Sequence, residues 1–324
     1  MFGDTPDKTD EKDDSWQKEV VNRLAFAALN EQRRSRRWNI FFKSLFLAYL
    51  FLIFFAIYLP EKPGEGALSV GKHTALVDLQ GVIADNTEAN ADSIVRGLRA
   101  AFEDRNTAGI ILRINSPGGS PVQAGYVYDE IKRLRKEYPE IKLYAVITDM
   151  CASGGYYVAA AADEIYADKA SVVGSIGVLM NGFGFVDAMK KLGIERRLYT
   201  AGEHKGMLDP FSRENPEDVA HIKNMLNTIH QQFINVVKQG RGDRLKDDPK
   251  IFSGLFWTGE ESLKLGLIDG LGSSGYVARE IIKQEKVVDF TPRPDYLDRF
   301  AERFGASMSK VIMDMLGGKT ASMQ

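Results

Sequence analysis

Three short stretches hold the residue types that break acyl bonds. Met150–Ala160 reads MCASGGYYVAA, with Ser153 between Ala152 and the pair Gly154–Gly155. The apolar KLYAVITD precedes it and an alanine-rich run follows, so the serine sits where a strand turns into a helix. A hydroxyl so placed, with no side-chain bulk on the next two residues, lies near a helix N-terminus, where developing negative charge is favoured. Serine is also a preferred helix N-cap, and alone this stretch fits that role as well. The second stretch, RINSPGGSP, runs from Arg113 to Pro121. Its glycines permit a sharp turn and leave amides free to point at a ligand. As an oxyanion hole, each such donor is worth about 3 kcal/mol; alone, the stretch also fits an ordinary strand–helix turn. The third, TAGEHKGMLDPFSRENPED, carries Lys205 between Gly202 and Gly206. A lysine is a general base only when neutral, which requires burial and no carboxylate partner. Glu203 and Asp209 lie nearby, and a solvated loop lysine is the ordinary alternative. No histidine lies close to Ser153 in sequence; His204, with Asp209 to orient it, is the local rival to Lys205 as base.

These stretches need a scaffold, and from His73 onward strand-like and helix-like segments alternate. TALVDL, GIILRIN, KLYAVIT, EIYA and RRLYTA read as strands. ADSIVRGLRAAFED and SPVQAGYVYDEIKRLRKEY read as helices, the second with Val122, Tyr126, Ile131 and Leu134 on roughly one face. The rhythm is that of a mostly parallel sheet with crossover helices, an α/β domain. A long helix is expected from Pro216 to about Lys238, capped by Asn215. Val219, Ile222, Leu226, Ile229, Phe233 and Val237 recur along it at helical spacing, which reads as a packing face. RFAERFGASMSKVIMDML predicts an amphipathic helix near the C-terminus.

The N-terminal region differs. Residues 1–37 are charged, and the first fifteen lack an apolar cluster and read as a solvated, disordered tail. WNIFFKSLFLAYLFLIFFAIYLP follows, uncharged from Ser44 to Leu59. It is long enough to span a bilayer, which takes roughly 20 residues, and has Trp38 and Tyr58 near its ends. A cleaved signal peptide would need a shorter apolar run and a small-residue cleavage site, so an uncleaved anchor is expected. Arg33, Arg34, Arg36 and Arg37 precede the span, and the positive-inside rule then places the N-terminus in the cytoplasm. The expected organisation is a charged cytoplasmic tail at 1–37, a transmembrane helix at 38–59 and a linker at 60–72. An α/β domain at 73–287 and an extension at 288–324 complete it.

With 42 Lys and Arg against 44 Asp and Glu, the net charge of −2 gives no electrostatic footprint for nucleic acid. The lone Cys151 excludes an internal disulfide and reads as a small buried residue. His73, His204, His221 and His230 show no metal-ligand spacing, and GGKT near the C-terminus lacks the glycine and strand of a phosphate loop. No cofactor or metal is expected.

Taken together, RINSPGGS, ASGGYYVAAAAD, SVVGSIGV and TAGEHKGMLDPF occur in the order and context of one family. From His73 to about Val287, with the preceding anchor, the chain resembles signal peptide peptidase A, a serine–lysine peptidase family of the ClpP/crotonase fold. The resemblance implies Ser153 as nucleophile, Lys205 as general base and Ser175 as the hydroxyl that orients the lysine. It implies oxyanion-hole amides at Gly119 and Gly154. A Ser–Lys pair would account for the missing histidine. The resemblance further implies cleaved signal peptides as substrates and a catalytic domain facing the periplasm or cell exterior of a bacterial cytoplasmic membrane. It also implies a homo-oligomer, an octameric ring in single-copy members, with serine and lysine meeting across a protomer boundary. Rival readings are a SohB-type membrane peptidase of other substrate, a crotonase-type acyl-CoA enzyme and a non-catalytic membrane scaffold.

Overall fold

The computed structural model describes residues 10–58 and 71–293, which fall into two compact units. In the first, helix α1 runs unbroken from Asp10 to Tyr58. Its segment Glu31–Phe54, of mean hydropathy 1.4, is long and apolar enough to cross a membrane, and none of its most apolar window is buried against protein. Trp38 stacks on Phe42, one turn on, at 5.7 Å between centroids. The tail expected to be disordered is helical from Asp10 onward. Glu, Lys, Gln, Arg, Leu and Ala dominate Glu11–Arg37 and are good helix formers, so a helix begun at the apolar span propagates back through them. Residues 1–9, the linker at 60–70 and the amphipathic helix expected near the C-terminus lie outside the described residues.

The second unit is built on an eight-stranded sheet. The central strands are β1 (His73–Gln80), β2 (Thr107–Ser116) and β3 (Lys142–Ala152), all parallel. Both of their faces are buried, which explains the near-continuous apolar runs. Val77, Leu79, Ile110, Leu112, Ile114, Ala145 and Ile147 point into the main core. Leu76, Ile111, Tyr144 and Val146 point the other way, against Val277 and Ala278 of a short helical stretch. The crossovers are helices α2 (Ala91–Glu103) and α3 (Pro121–Glu137). The Asn90 side chain caps α2 by accepting from Ser93 N at 2.9 Å, and α2 buries Ile94, Leu98, Ala101 and Phe102. Ser120 caps α3, with Pro121 in its first turn. Beyond β3 come helix α4 (Gly154–Ala159) and strands β4 (Glu164–Ala167) and β5 (Val172–Gly174), both parallel to β3.

Residues 177–221 contain no buried residue and form an arm around the short helix α5 (Val186–Leu192). Arg196–Ala201, expected as a strand, is irregular there: it is exposed throughout, and among the described residues no strand pairs with it. Helix α6 (Pro216–Arg241) starts at the expected Asn215 cap, which accepts from Glu217 N at 2.9 Å. Strand β6 (Phe256–Thr258) is antiparallel to β5, helix α7 (Gly259–Leu265) opens with a capping box at Thr258, and β7 (Gly270–Leu271) pairs with β4. Strand β8 (Val287–Asp289) pairs with β1, so the sheet continues past the boundary expected at residue 287.

Candidate active site

Ser153 occupies the single residue between β3 and α4, with φ 51° and ψ −121°. A non-glycine residue at positive φ of this kind costs about 1–3 kcal/mol and persists only where its surroundings impose it. Here they do: Ser153 N–H donates to Gly174 O at 2.8 Å, and Ser153 O accepts from Tyr157 N at 3.0 Å. The serine precedes a helix, yet its side chain makes no capping bond. The capping role, open from sequence, is not the one it plays, and the half-buried hydroxyl faces a cavity.

The loop after β2 is packed against this turn. Ser116 Oγ donates to Gly81 O at 2.7 Å and accepts from Gly118 N at 3.1 Å. Ile83 N donates to Gly118 O at 2.9 Å and Ser120 N to Ile83 O at 2.8 Å, so residue 119 is gripped from both sides. A Cβ at Gly118, where φ is +96°, would lie 2.6 Å from Gly154 N and 2.7 Å from Ser153 Cβ. A Cβ at Gly154 would lie 3.2 Å from Gly119 N. The two amides expected to form an oxyanion hole are therefore neighbours. Among the described residues neither donates a hydrogen bond: the Ile83 bridge uses Gly118 O and Ser120 N, and Gly154 is the first residue of its helix.

Ser175 follows Gly174, the acceptor for Ser153 N–H, and also has positive φ, 52°. The cavity has a volume of about 710 Å³, within the range of small-molecule and peptide side-chain pockets. Ser153, Gly154 and Tyr157 line it, with Pro117, Gly119 and Pro121 from the glycine loop and Ser175, Gly177, Val178 and Leu179 from the segment after β5. Ile229, His230, Gln232 and Phe233 of α6 and residues 252–254 complete the wall, and no Asp, Glu, Lys or Arg belongs to it. The structure thus brings together Ser153, Ser175, Gly119 and Gly154. Lys205 does not line the cavity; it is exposed on the arm. His204, the rival base, also stands off the cavity, with Nδ1 2.5 Å from Asp218 Oδ1. That hydrogen bond raises the His204 pKa. Asp209, its suggested orienter, instead accepts from Ser212 Oγ at 2.7 Å. Cys151 is fully buried beneath Ser153, and burial pushes its thiol up, so it is a packing residue as expected.

The sequence reading missed the α6 wall. That helix was read as packing only, yet Ile229, His230 and Phe233 face the cavity beside the serine. The signal was a histidine within an otherwise apolar stripe.

Comparison with known proteins places this geometry. The pattern of peptidase family S49 matches residues 135–288, which include Ser153, Gly154, Ser175 and Lys205. A putative protease of Synechocystis is 30% identical over 206 residues, 63% of this chain and 72% of that protein. The chain belongs to peptidase family S49. A putative signal peptide peptidase SppA of Enterococcus faecium is 29% identical over 70% of this chain and 67% of its own. A protein named Na(+)/H(+) antiporter NhaA in Brucella melitensis is 49% identical over 175 residues, 54% of this chain. The chain spans 24% of that antiporter's length, so the shared part is a fraction of a larger protein. The third strand of the ClpP-like parallel sheet lies within the S49 match, and Ser153 sits on the turn that follows it.

Proposed function

We propose that this S49 chain is a membrane-anchored serine endopeptidase whose nucleophile is Ser153 and whose general base is Lys205 of a neighbouring copy. One observation carries the reading: a strained serine, its hydroxyl not used in capping, faces a cavity beside two undonated amides. Lysine takes the serine proton as Oγ attacks the scissile carbonyl, and the oxyanion forms against the Gly119 and Gly154 amides. The lysine returns the proton to the leaving amine, and water then releases the acyl group. Ser175, on the cavity wall, is the hydroxyl that orients the amine. An amine entering this cavity is buried and meets no carboxylate, the two conditions that keep it uncharged.

The arm supports sharing between copies. Leu179 is 79% exposed, Phe183 80% and Tyr199 89%, a spread of large apolar side chains that a lone soluble unit would cover. Each copy has a serine cavity without its lysine and a lysine without its serine, so a head-to-tail ring completes every site. Helix α1 would anchor the assembly with its N-terminus in the cytoplasm. The substrates of such an anchored enzyme are apolar peptides held in the bilayer, cleaved signal peptides first, because tethering raises their local concentration.

A fluorophosphonate probe on the full chain in detergent tests this. Labelling is expected in the wild type, absent in Ser153→Ala and strongly slowed in Lys205→Ala. Full hydrolysis of peptide by Lys205→Ala would remove the dyad. An unlabelled wild-type oligomer would favour acyl-CoA chemistry or a scaffold.

A further inference from the structure

The turn Gly174–Ile176 is pinned at three consecutive residues by three different elements. Gly174 O accepts from Ser153 N at 2.8 Å, and Ser175 N donates to Leu255 O at 2.8 Å. Ile176 O lies 3.2 Å from His230 Nε2. A carbonyl oxygen only accepts, so Nε2 carries the proton and donates. Two of the three residues have positive φ: 110° at Gly174 and 52° at Ser175. Ser153, which hangs from this turn by its N–H, is at 51°. Conformations of this kind relax unless each is held, and the only side chain among the three restraints is the imidazole. His230 also lines the Ser153 cavity, so its ring stands between the α6 scaffold and the reacting groups.

We propose that His230 is a positioning residue: its Nε2–H bond to the Ile176 carbonyl locks the turn that holds the Ser153 backbone and the Ser175 hydroxyl in register for reaction. This rests on Ser153 being the nucleophile, and it takes no proton from substrate. Without the bond, the Ser175 turn loses its restraint on the α6 side, and the serine loses the fixed acceptor for its N–H. Misplacement of a reacting atom by about 1 Å is enough to slow chemistry by two orders of magnitude.

Three substitutions test it in the full chain, measuring the fluorophosphonate labelling rate, kcat and KM for a peptide substrate, and thermal midpoint. His230→Phe keeps the bulk and removes the donor; a fall of about tenfold in labelling rate and kcat is expected, as for loss of one hydrogen bond of about 1.4 kcal/mol. His230→Gln places an amide N–H at the reach of Nε2 and is expected to recover to within about threefold of wild type. His230→Asn, whose amide stops short, should resemble the phenylalanine variant and serves if that variant fails to fold. A wall residue without a positioning role would shift KM alone, with Phe milder than Gln. A merely structural one would lower the thermal midpoint in all three with labelling per folded molecule unchanged. Either result overturns the inference while Ser153 still labels. An unlabelled wild type instead removes the serine peptidase reading, and the inference with it.

Discussion

The turn that carries Ser153 and the arm that carries Lys205 are built in opposite ways. Around Ser153 the backbone is tied to β2, to the Gly174 turn and to α4, and the residues on either side, Ala152 and Gly154, are buried. From 177 to 221 nothing is buried, and the arm's internal contacts are small: Phe185 stacks on Phe211 at 5.5 Å, and Arg196 lies over that ring at 5.8 Å. In the proposed dyad, the serine half is held by its own chain against about 1–3 kcal/mol of backbone strain. The other sits where its own chain provides almost no restraint. A nucleophile must be held in one geometry, whereas a base supplied across a boundary is positioned by the neighbour it docks on. Under the proposed dyad, that division of labour would let a rigid sheet and a thinly packed arm serve one site.

The sharpest way to break this comparison is to separate the two halves genetically. Ser153→Ala and Lys205→Ala are each expected to lower peptide hydrolysis by at least about 10³-fold. Co-assembled in equal amounts, they should regain about a quarter of wild-type activity, because random neighbours in a head-to-tail ring pair an intact serine with an intact lysine that often. Mixed assemblies as inactive as their parents would show that the arm does not serve a neighbouring cavity.

Glycine substitutions probe the rigid half against the loose one. Gly118→Ala puts a methyl group within 3 Å of Gly154 N and Ser153 Cβ at φ +96°. It is expected to slow labelling by about 100-fold and to cost about 1–3 kcal/mol. Gly182→Ala, on the arm, meets nothing within 4 Å and should leave the thermal midpoint unchanged. Equal effects at both sites would erase the contrast.

The same contrast governed what could be read from sequence. Buried parallel strands announce themselves as apolar runs, so TALVDL, GIILRIN and KLYAVIT were legible as β1 to β3, and Asn215–Pro216 marked the start of α6. The cavity residues Gly119 and Ser153 were legible where glycine and serine share a loop, whereas Ser175 came only from the family resemblance. RRLYTA was misread because alternating apolar residues signal a strand only when a partner strand exists, and the described residues offer none. Strands β5 to β8 are two or three residues long, too short to show a period. His230 was missed because its role comes from a contact 54 residues away, with Ile176.

Charging the arm should separate assembly from folding. Phe183→Asp and Tyr199→Asp remove exposed apolar surface that touches little within the chain. Unfolding stability of the isolated protomer is expected to stay within about 0.5 kcal/mol of wild type. Sedimentation should show dissociation, with hydrolysis falling in parallel. An intact, active ring in both variants would place the interface elsewhere.

The smallest effect expected is a pH dependence confined to the arm. His204 donates to Asp218, in the first turn of α6, and this bond raises the histidine's pKa, with Glu203 and Glu217 adding to it. A raised folded-state value means that the protonated pair contributes fully below the ordinary histidine pKa of about 6.5. The contribution is lost as pH rises through the raised value. Because the histidine side of the pair is exposed, it should fasten the Lys205 loop to α6 rather than stabilise the domain. Hydrogen exchange at residues 201–209, corrected for intrinsic rate, should be slower at pH 6 than at pH 8.5. Exchange in β1 to β3 should be unchanged over that range. Asp218→Asn should abolish the difference on the arm, because the amide cannot pair with an imidazolium charge. A difference that survives this substitution would mean that something other than the His204–Asp218 pair restrains the loop.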